Sequence, residues 1–242
     1  VSTPEMLPID HTELSLMMWL SNSDKTGITP ADIFAYTKTS DVDSARTVLL
    51  DELKSKELMY VYEHIESPLM PVIRKMEEVG IAVDVPYLQE LGSKYHIELT
   101  RYEKKIWEYA GREFNINSPK QLGEILFDEM MLTAKGLKKT EGGARSTRES
   151  ELEKLKDSHP IIEEIFRYRE LQKLLSTYID TLPALVSGDG RLHARFNQAG
   201  TTTGRFSSSD PNLQNIPVKT ELGKKIRDAF VAQKGFELVS LD

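Results

Sequence analysis

Between Thr201 and Pro217 the chain crowds hydrogen-bonding side chains into one short run, Thr201-Thr202-Thr203-Gly204-Arg205-Phe206-Ser207-Ser208-Ser209-Asp210-Pro211-Asn212-Leu213-Gln214-Asn215-Ile216-Pro217. Arg205 brings a guanidinium, and Asn212, Gln214 and Asn215 bring carboxamides, all of them donors that can address acceptors outside the protein. The competing reading is a polar loop whose amides cap its own backbone. Positive charge gathers in two places. From Lys135 to Arg148 five basic residues face Glu141 alone, and from Arg191 to Lys234 eight face Asp210, Glu221 and Asp228. The net charge of −7 by itself speaks weakly against a polyanionic partner, so the distribution points to two basic surfaces on an acidic body.

Helix starts at Ser118 and Ser146 would leave backbone N–H groups free to meet an anion, with Lys120, Lys138, Lys139 and Thr147 close by in sequence. Each lysine alone reads equally well as solvated surface. Arg169, Lys173, Ser176 and Thr177 recur at helical steps of three or four and can share one face. With no cysteine, disulfides, thiolate catalysis and cysteine-ligated zinc are excluded. The 5 histidines form no pair at the i, i+4 spacing of a helical metal site, so any metal must rest mainly on oxygen ligands.

The elements that must position these groups are mostly helical. A chain of 242 residues, 39% hydrophobic and 29% charged, has the profile of one large globular domain or two ordinary ones. The first 57 or so residues read as short helices without assignable chemistry. Leu58, Val61, Ile65, Leu69, Val72, Ile73, Met76 and Val79 then trace one face of a long helix that Gly80 ends. Asp84 can cap a second long helix, stopped at Gly111, so the two are expected to form a helical hairpin. Ser118-Pro119 with Gln121, and Ser146 with Glu149, each read as a capping box. The Gly- and Lys-rich segment from Thr133 to Arg145 is expected to be a mobile, exposed tip. A further apolar stripe runs from Ile162 to Leu182. The texture changes at Ser187. Leu192, Ala194 and Phe196 alternate with polar neighbours as a half-buried strand does, and Phe236 to Leu241 again reads as a strand.

The Thr201–Pro217 run resembles the T-x-T-G-R-L-S-S and P-N-L-Q-N-I-P block of family A DNA polymerases, with Phe206 in place of the usual leucine. The resemblance covers nearly the whole chain. Val79-Gly80-Ile81-Ala82-Val83-Asp84 is similar to that family's G-I-x-V-D turn, and Phe114-Asn115-Ile116-Asn117-Ser118-Pro119-Lys120-Gln121-Leu122 to its F-N-I-N-S-P-K-Q-L segment. Tyr168 to Ile179 resembles the helix leading from thumb into palm, Phe196-Asn197-Gln198 and Gly223 to Arg227 also match, and Leu238-Val239-Ser240-Leu241-Asp242 resembles the strand that opens motif A.

The resemblance implies a mainly α fold with a small antiparallel β part, namely a helical thumb plus a truncated α+β palm. Its segments would be the end of a 3′–5′ exonuclease-like domain at 1–57, a thumb at 58–187 and the beginning of a palm at 188–242. It places Arg205, Asn212, Gln214 and Asn215 along the minor groove of primer–template DNA, whose acceptors are nearly the same for every base pair. It extends the DNA-binding set to Asn197, Gln198, Lys219 and Arg227, and gives Lys120, Lys138, Lys139, Ser146, Thr147, Arg169, Lys173, Ser176 and Thr177 phosphate contacts, which fix register without reading bases. Asp242 would be a catalytic carboxylate and a ligand of a two-ion Mg2+ site that takes deoxynucleoside triphosphates. The chain is therefore expected to be an incomplete polymerase. It contains no R-x-x-x-K-x-x-x-x-F-G nucleotide-binding helix and no H-D-E turn, and neither Asp41 nor Asp43 stands at the Y-x-x-x-D spacing from Tyr36 that a nuclease motif needs. With no apolar run of roughly 18 residues and no secretory layout, a cytoplasmic protein that avoids membranes is expected, and the resemblance adds that it would be a nucleoid-associated monomer. The alternatives are a non-catalytic DNA-binding module and a purely structural helical protein.

Overall fold

A computed structural model describes residues 9–239, with side chains from residue 11 onward. Contacts divide the chain into two compact units, residues 1–82 with 186–215, and residues 83–185 with 216–242. The architecture is mainly helical with small antiparallel sheets, as the sequence leads one to expect.

In the first unit, α1 (Ile9–Ser21), α2 (Pro30–Thr37) and α3 (Val42–Ser55) pack around Leu14, Met17, Met18, Ile33, Leu49 and Leu53. Their starts are written locally. Thr29 and Asp32 close a full capping box ahead of Pro30, and the Asp41 carboxylate accepts from the Ser44 amide at 2.9 Å. The Glu13 carboxylate ties the layer together by accepting from Arg46 at 2.9 Å and from the Tyr62 hydroxyl at 2.6 Å.

The long helix expected from Leu58 to Val79 is a composite of α4 (Met59–Val61), a π-helical turn at Tyr62–Glu66 and α5 (Ser67–Val79). Pro68 and Pro71, which have no amide hydrogen to give, follow the irregular turn. Its apolar stripe is only partly covered. Ile73 is the one buried member of it, and Tyr62, outside the expected stripe, is buried as well, whereas Val72, Met76 and Val79 stay about half exposed along a groove of about 700 Å³ shared with Leu192, Ala194, Phe196 and Leu213.

After α5 the strand β1 (Ile81–Val83) crosses the unit boundary. It pairs antiparallel with β2 (Arg191–Leu192), with Ile81 opposite Leu192 and Ala82 opposite Arg191. The single strand expected over 192–197 is interrupted because the chain changes partner. β3 (Arg195–Asn197) pairs instead with β4 (Ser207–Ser209), Phe196 lying opposite Ser208. The inward alternation nevertheless holds, with Leu192 and Ala194 buried.

In the second unit, α6 (Val85–Ala110) is capped by Asp84, whose carboxylate accepts from the Tyr87 amide at 2.9 Å, and ends at Gly111 in the left-handed region. α7 (Pro119–Gly123), α8 (Glu149–Leu152), α9 (Ile161–Leu174), α10 (Leu182–Leu185) and α11 (Glu221–Arg227) follow, with the short strand β5 (Phe230–Val231) near the end. Within this unit α6 packs along α9 and the π-helical turn Leu175–Ile179 that extends it. Gly92 permits the approach, since a Cβ there would lie 3.1 Å from Ile179. The Lys105 ammonium reaches the buried Glu164 carboxylate at 2.6 Å across the same seam. Ile106, Ile116, Leu122, Leu126, Phe127, Leu155 and Ile165 form the core.

Residues 236–239 form no strand. Phe236, Leu238 and Val239 are 73%, 61% and 74% exposed, and a strand needs a neighbour to take its backbone hydrogen bonds.

Candidate nucleic-acid interface

The Thr201–Pro217 run divides into residues that build and residues that are presented. Thr201 Oγ1 donates to the Arg205 carbonyl at 2.7 Å, which closes a turn that passes through Gly204 at φ +79°. After β4 the buried Ser208 hydroxyl donates to the Pro211 carbonyl at 3.2 Å and accepts from the Leu213 amide at 3.0 Å. That knot turns Asn212, Gln214 and Asn215 outward, where all three are exposed, as is Arg205. Asn212 Oδ1 accepts from the Gln214 amide at 3.1 Å, which leaves the Asn212 nitrogen available. The side chains of Arg205, Gln214 and Asn215 make no hydrogen bond or ion pair among the described residues.

The two neighbours named from the resemblance are placed differently. Asn197 is exposed, with its Oδ1 accepting from the Ala199 amide at 2.9 Å. Gln198 is 9% exposed, and its Nε2 donates to the Glu66 carbonyl at 3.0 Å and to the Glu66 carboxylate at 2.9 Å. Its donors are therefore spent inside the unit.

In the second unit Ser118 caps α7, its hydroxyl accepting from the Gln121 amide at 3.4 Å. The reciprocal half of the expected box is absent, because Gln121 Oε1 accepts from the Asn115 amide at 2.8 Å instead. Lys120 stands exposed at this helix start. The second expected box does not form. α8 begins at Glu149 with Arg148 as its cap residue, and Ser146 Oγ accepts from the Arg148 amide at 3.3 Å as a local turn. Ser146 and Thr147 are both 5% exposed, so in this arrangement they support the tip and lie beneath its surface.

The tip is exposed over most of its length, as expected, and carries hydrogen bonds of its own. The Thr140 amide donates to the Ala144 carbonyl at 2.7 Å and the Ser146 amide to the Lys138 carbonyl at 3.0 Å. Arg169, half-buried on α9, donates to the Thr147 carbonyl at 2.6 Å, and burial pulls its pKa down from 12.5. Lys138 and Lys139 are exposed, and their side chains, like those of Lys120, Lys135 and Arg148, make no hydrogen bond or ion pair among the described residues. Arg145 is committed to Asp128 and stacks over Phe127. Lys173, Ser176 and Thr177 share an exposed side of α9 and its π turn, away from buried Leu171, Leu174 and Tyr178. Lys219 and Arg227 are exposed too, and neither pairs within the described residues.

Glu151 fastens the tip. Its carboxylate accepts from the Lys154 ammonium at 2.6 Å and from the Lys138 amide at 2.8 Å, and these bonds hold it below its ordinary value of 4.5. A carboxylate depressed by folding stabilises above its unfolded pKa, and that contribution is lost as pH falls through the folded value. Hydrogen-exchange protection of the Lys138 amide is accordingly expected to drop as pH falls below about 4.5, and to be low already at neutral pH in Glu151→Ala. Equal protection in the variant and the parent at neutral pH would refute this.

Asp242 lies outside the described residues. Among those described, no group of three His, Asp or Glu side chains converges to hold a metal ion, and no helix is long and apolar enough to cross a membrane. What the sequence did not single out is the scaffolding, chiefly Thr201, Ser208 and, as shown below, Trp19. The density of hydroxyls around Arg205 was the available signal for the first two.

A family model described as DNA polymerase family A matches residues 85–242. A thermostable DNA polymerase I of Thermus thermophilus is 52% identical over 196 residues, 80% of this chain and 24% of that protein. DNA polymerase I of Bacillus subtilis (strain 168) is 47% identical over 195 residues, 80% of this chain and 22% of that protein. Among solved structures, the POL domain of Pol1 from M. smegmatis in complex with DNA primer-template and dNTP superposes with a TM-score of 0.83 at 32% identity, covering 92% of this chain and 41% of that one. The chain thus spans 24% and 22% of the length of these two relatives.

Proposed function

The chain belongs to DNA polymerase family A, and from that premise we propose that it grips primer–template DNA within a template-directed polymerase that extends a primer 3′ end from deoxynucleoside triphosphates. The observation that carries this reading is the set of unspent donors at Arg205, Gln214 and Asn215, held outward by a turn and a knot whose own hydroxyls are satisfied. An enzyme that must hold any sequence needs donors for acceptors shared by all base pairs, and minor-groove purine N3 and pyrimidine O2 are such acceptors. The unpaired Lys120, Lys138, Lys139, Lys173, Lys219 and Arg227 supply charge for phosphates, which position the duplex without reading it. Ser146, Thr147, Arg169 and Gln198 serve by bracing, as their internal hydrogen bonds favour.

In this reading residues 58–187 form a thumb, most of it in the unit that holds 83–185, and the palm begins at 188. Residues 1–57 correspond to the end of a nuclease-like domain. The protein works as a monomer in the cytoplasm, where bacterial DNA lies. Phosphoryl transfer in this reading would draw on two divalent ions, Mg2+, which when bound would supply positive charge to the reacting phosphates. Asp242 would give them one carboxylate, and since the described residues bring no ligand set together, they do not fit a complete centre.

The test is a titration of the chain with labelled primer–template duplex at two ionic strengths. Affinity is expected to fall steeply as salt rises, because each neutralised phosphate releases counterions. Binding that ignores salt, or no binding at all, would sink the reading. A polypeptide of these 242 residues alone is expected to give no primer extension with Mg2+ and all four triphosphates, since it holds neither the nucleotide-binding helix nor the H-D-E turn. Measurable extension would contradict that.

A further inference from the structure

We propose that Trp19 is a positioning residue for Arg205, so that the N-terminal helical layer serves as the base of the duplex-gripping turn. The inference rests on the reading of Arg205 as a DNA contact. Residues 202–205 are all exposed, and a turn with so few packed neighbours samples many conformations unless something fixes it. Ordering a long arginine at the moment of binding subtracts from affinity, so a turn held beforehand binds better.

The hold is visible in two linked hydrogen bonds. Trp19, on α1 and 5% exposed, donates its indole N–H to the Thr201 carbonyl at 2.9 Å. Thr201 in turn donates its hydroxyl to the Arg205 carbonyl at 2.7 Å. The indole also lies under the turn, with its Cη2 4.0 Å from where a Cβ on Gly204 would stand. Two further contacts seat the same segment on the same helical layer. Ala199 is buried in the same core cluster as Leu14, Met18, Leu49 and Tyr62, and the Gln198 amide is held by Glu66. From the other side Gly200 lies so close to Ser207 that a Cβ would fall 1.9 Å from its hydroxyl. The turn is thus pinned from below by α1 and from beside by β4, and Arg205 leaves it at a fixed point.

A buried tryptophan with a satisfied N–H is also common as plain core, so the test must separate positioning from packing. Trp19→Phe keeps most of the ring and removes the donor. Primer–template affinity and melting temperature are measured for the parent chain, Trp19→Phe, Arg205→Ala and the double variant at one salt concentration. Trp19→Phe is expected to weaken binding about 3- to 10-fold, and the double variant to bind no more weakly than Arg205→Ala alone. If Trp19→Phe weakens binding by the same factor whether or not Arg205 is present, or leaves affinity unchanged in the parent, the proposal falls while the duplex reading stands. If Arg205→Ala binds as the parent does, the duplex reading falls and takes the proposal with it. Should Trp19→Phe fail to fold, Thr201→Val replaces it in the same cycle. That variant cuts the link to Arg205 without touching the indole, and additivity there overturns the proposal equally.

Discussion

Primer–template affinity is expected to fall about 10- to 100-fold in Arg205→Ala, with the melting temperature unchanged. The magnitude follows from losing charge-assisted hydrogen bonds, worth about 1.5 to 3 kcal/mol each when the partner is left without a donor. Stability should not move, because the exposed guanidinium makes no hydrogen bond or ion pair among the described residues. Arg205→Lys should recover only part of the loss, since an ammonium cannot reproduce the planar fork that reaches two acceptors at once. A duplex carrying 3-deazapurines, which lack the minor-groove N3 acceptor, provides the complementary arm. The parent chain should bind it more weakly than normal duplex, and the difference should shrink in Arg205→Ala, where only the exposed carboxamides remain to sense N3. Equal affinity of the parent for both duplexes would move Arg205 away from the groove edge.

The second large effect concerns folding. Gly80→Ala is expected to destabilise the chain by about 3 to 5 kcal/mol, read as a shift of the urea midpoint. Gly80 sits at φ 60° and ψ −171°, a conformation available essentially to glycine alone. A Cβ there would also stand 2.5 Å from the Leu192 carbonyl oxygen and 2.9 Å from His193 Nδ1. Neither neighbour can give way easily. Leu192 is paired with Ile81, Arg191 donates to the Val79 carbonyl at 2.6 Å, and His193 Nδ1 is hydrogen-bonded to the Glu77 carbonyl at 2.8 Å. Gly111 is the control. It has φ +75° but nothing within 4 Å of the added carbon, so Gly111→Ala should cost only the backbone strain, about 1 kcal/mol. A Gly80→Ala midpoint no lower than that of Gly111→Ala would show that the close approach of residues 192–193 carries no weight.

Much of the candidate site's layout was legible because its signals are local. Arg205, Asn212, Gln214 and Asn215 stand in one short run, and the structure presents all four to solvent. Gly80, Asp84, Gly111 and Ser118 end or begin helices where their residue types say they should. The expected second box at Ser146 failed for an instructive reason. Its serine bonds the amide two residues on, and the segment is buried against Arg169, a residue more than twenty positions away.

The amino-acid order by itself settled the mainly helical class, the family signature and the identity of the outward donors, since each depends on residues within a few positions of one another. Folding alone decided which polar groups remain unspent. Gln198 spends both amide donors on Glu66, Arg169 is half-buried and gives one bond to the Thr147 carbonyl, and the turn bearing Arg205 rests on Trp19 across 182 residues of chain. A side chain's freedom to bind depends on every acceptor that packing brings within about 3 Å, and neighbours that distant leave no period or spacing to be read.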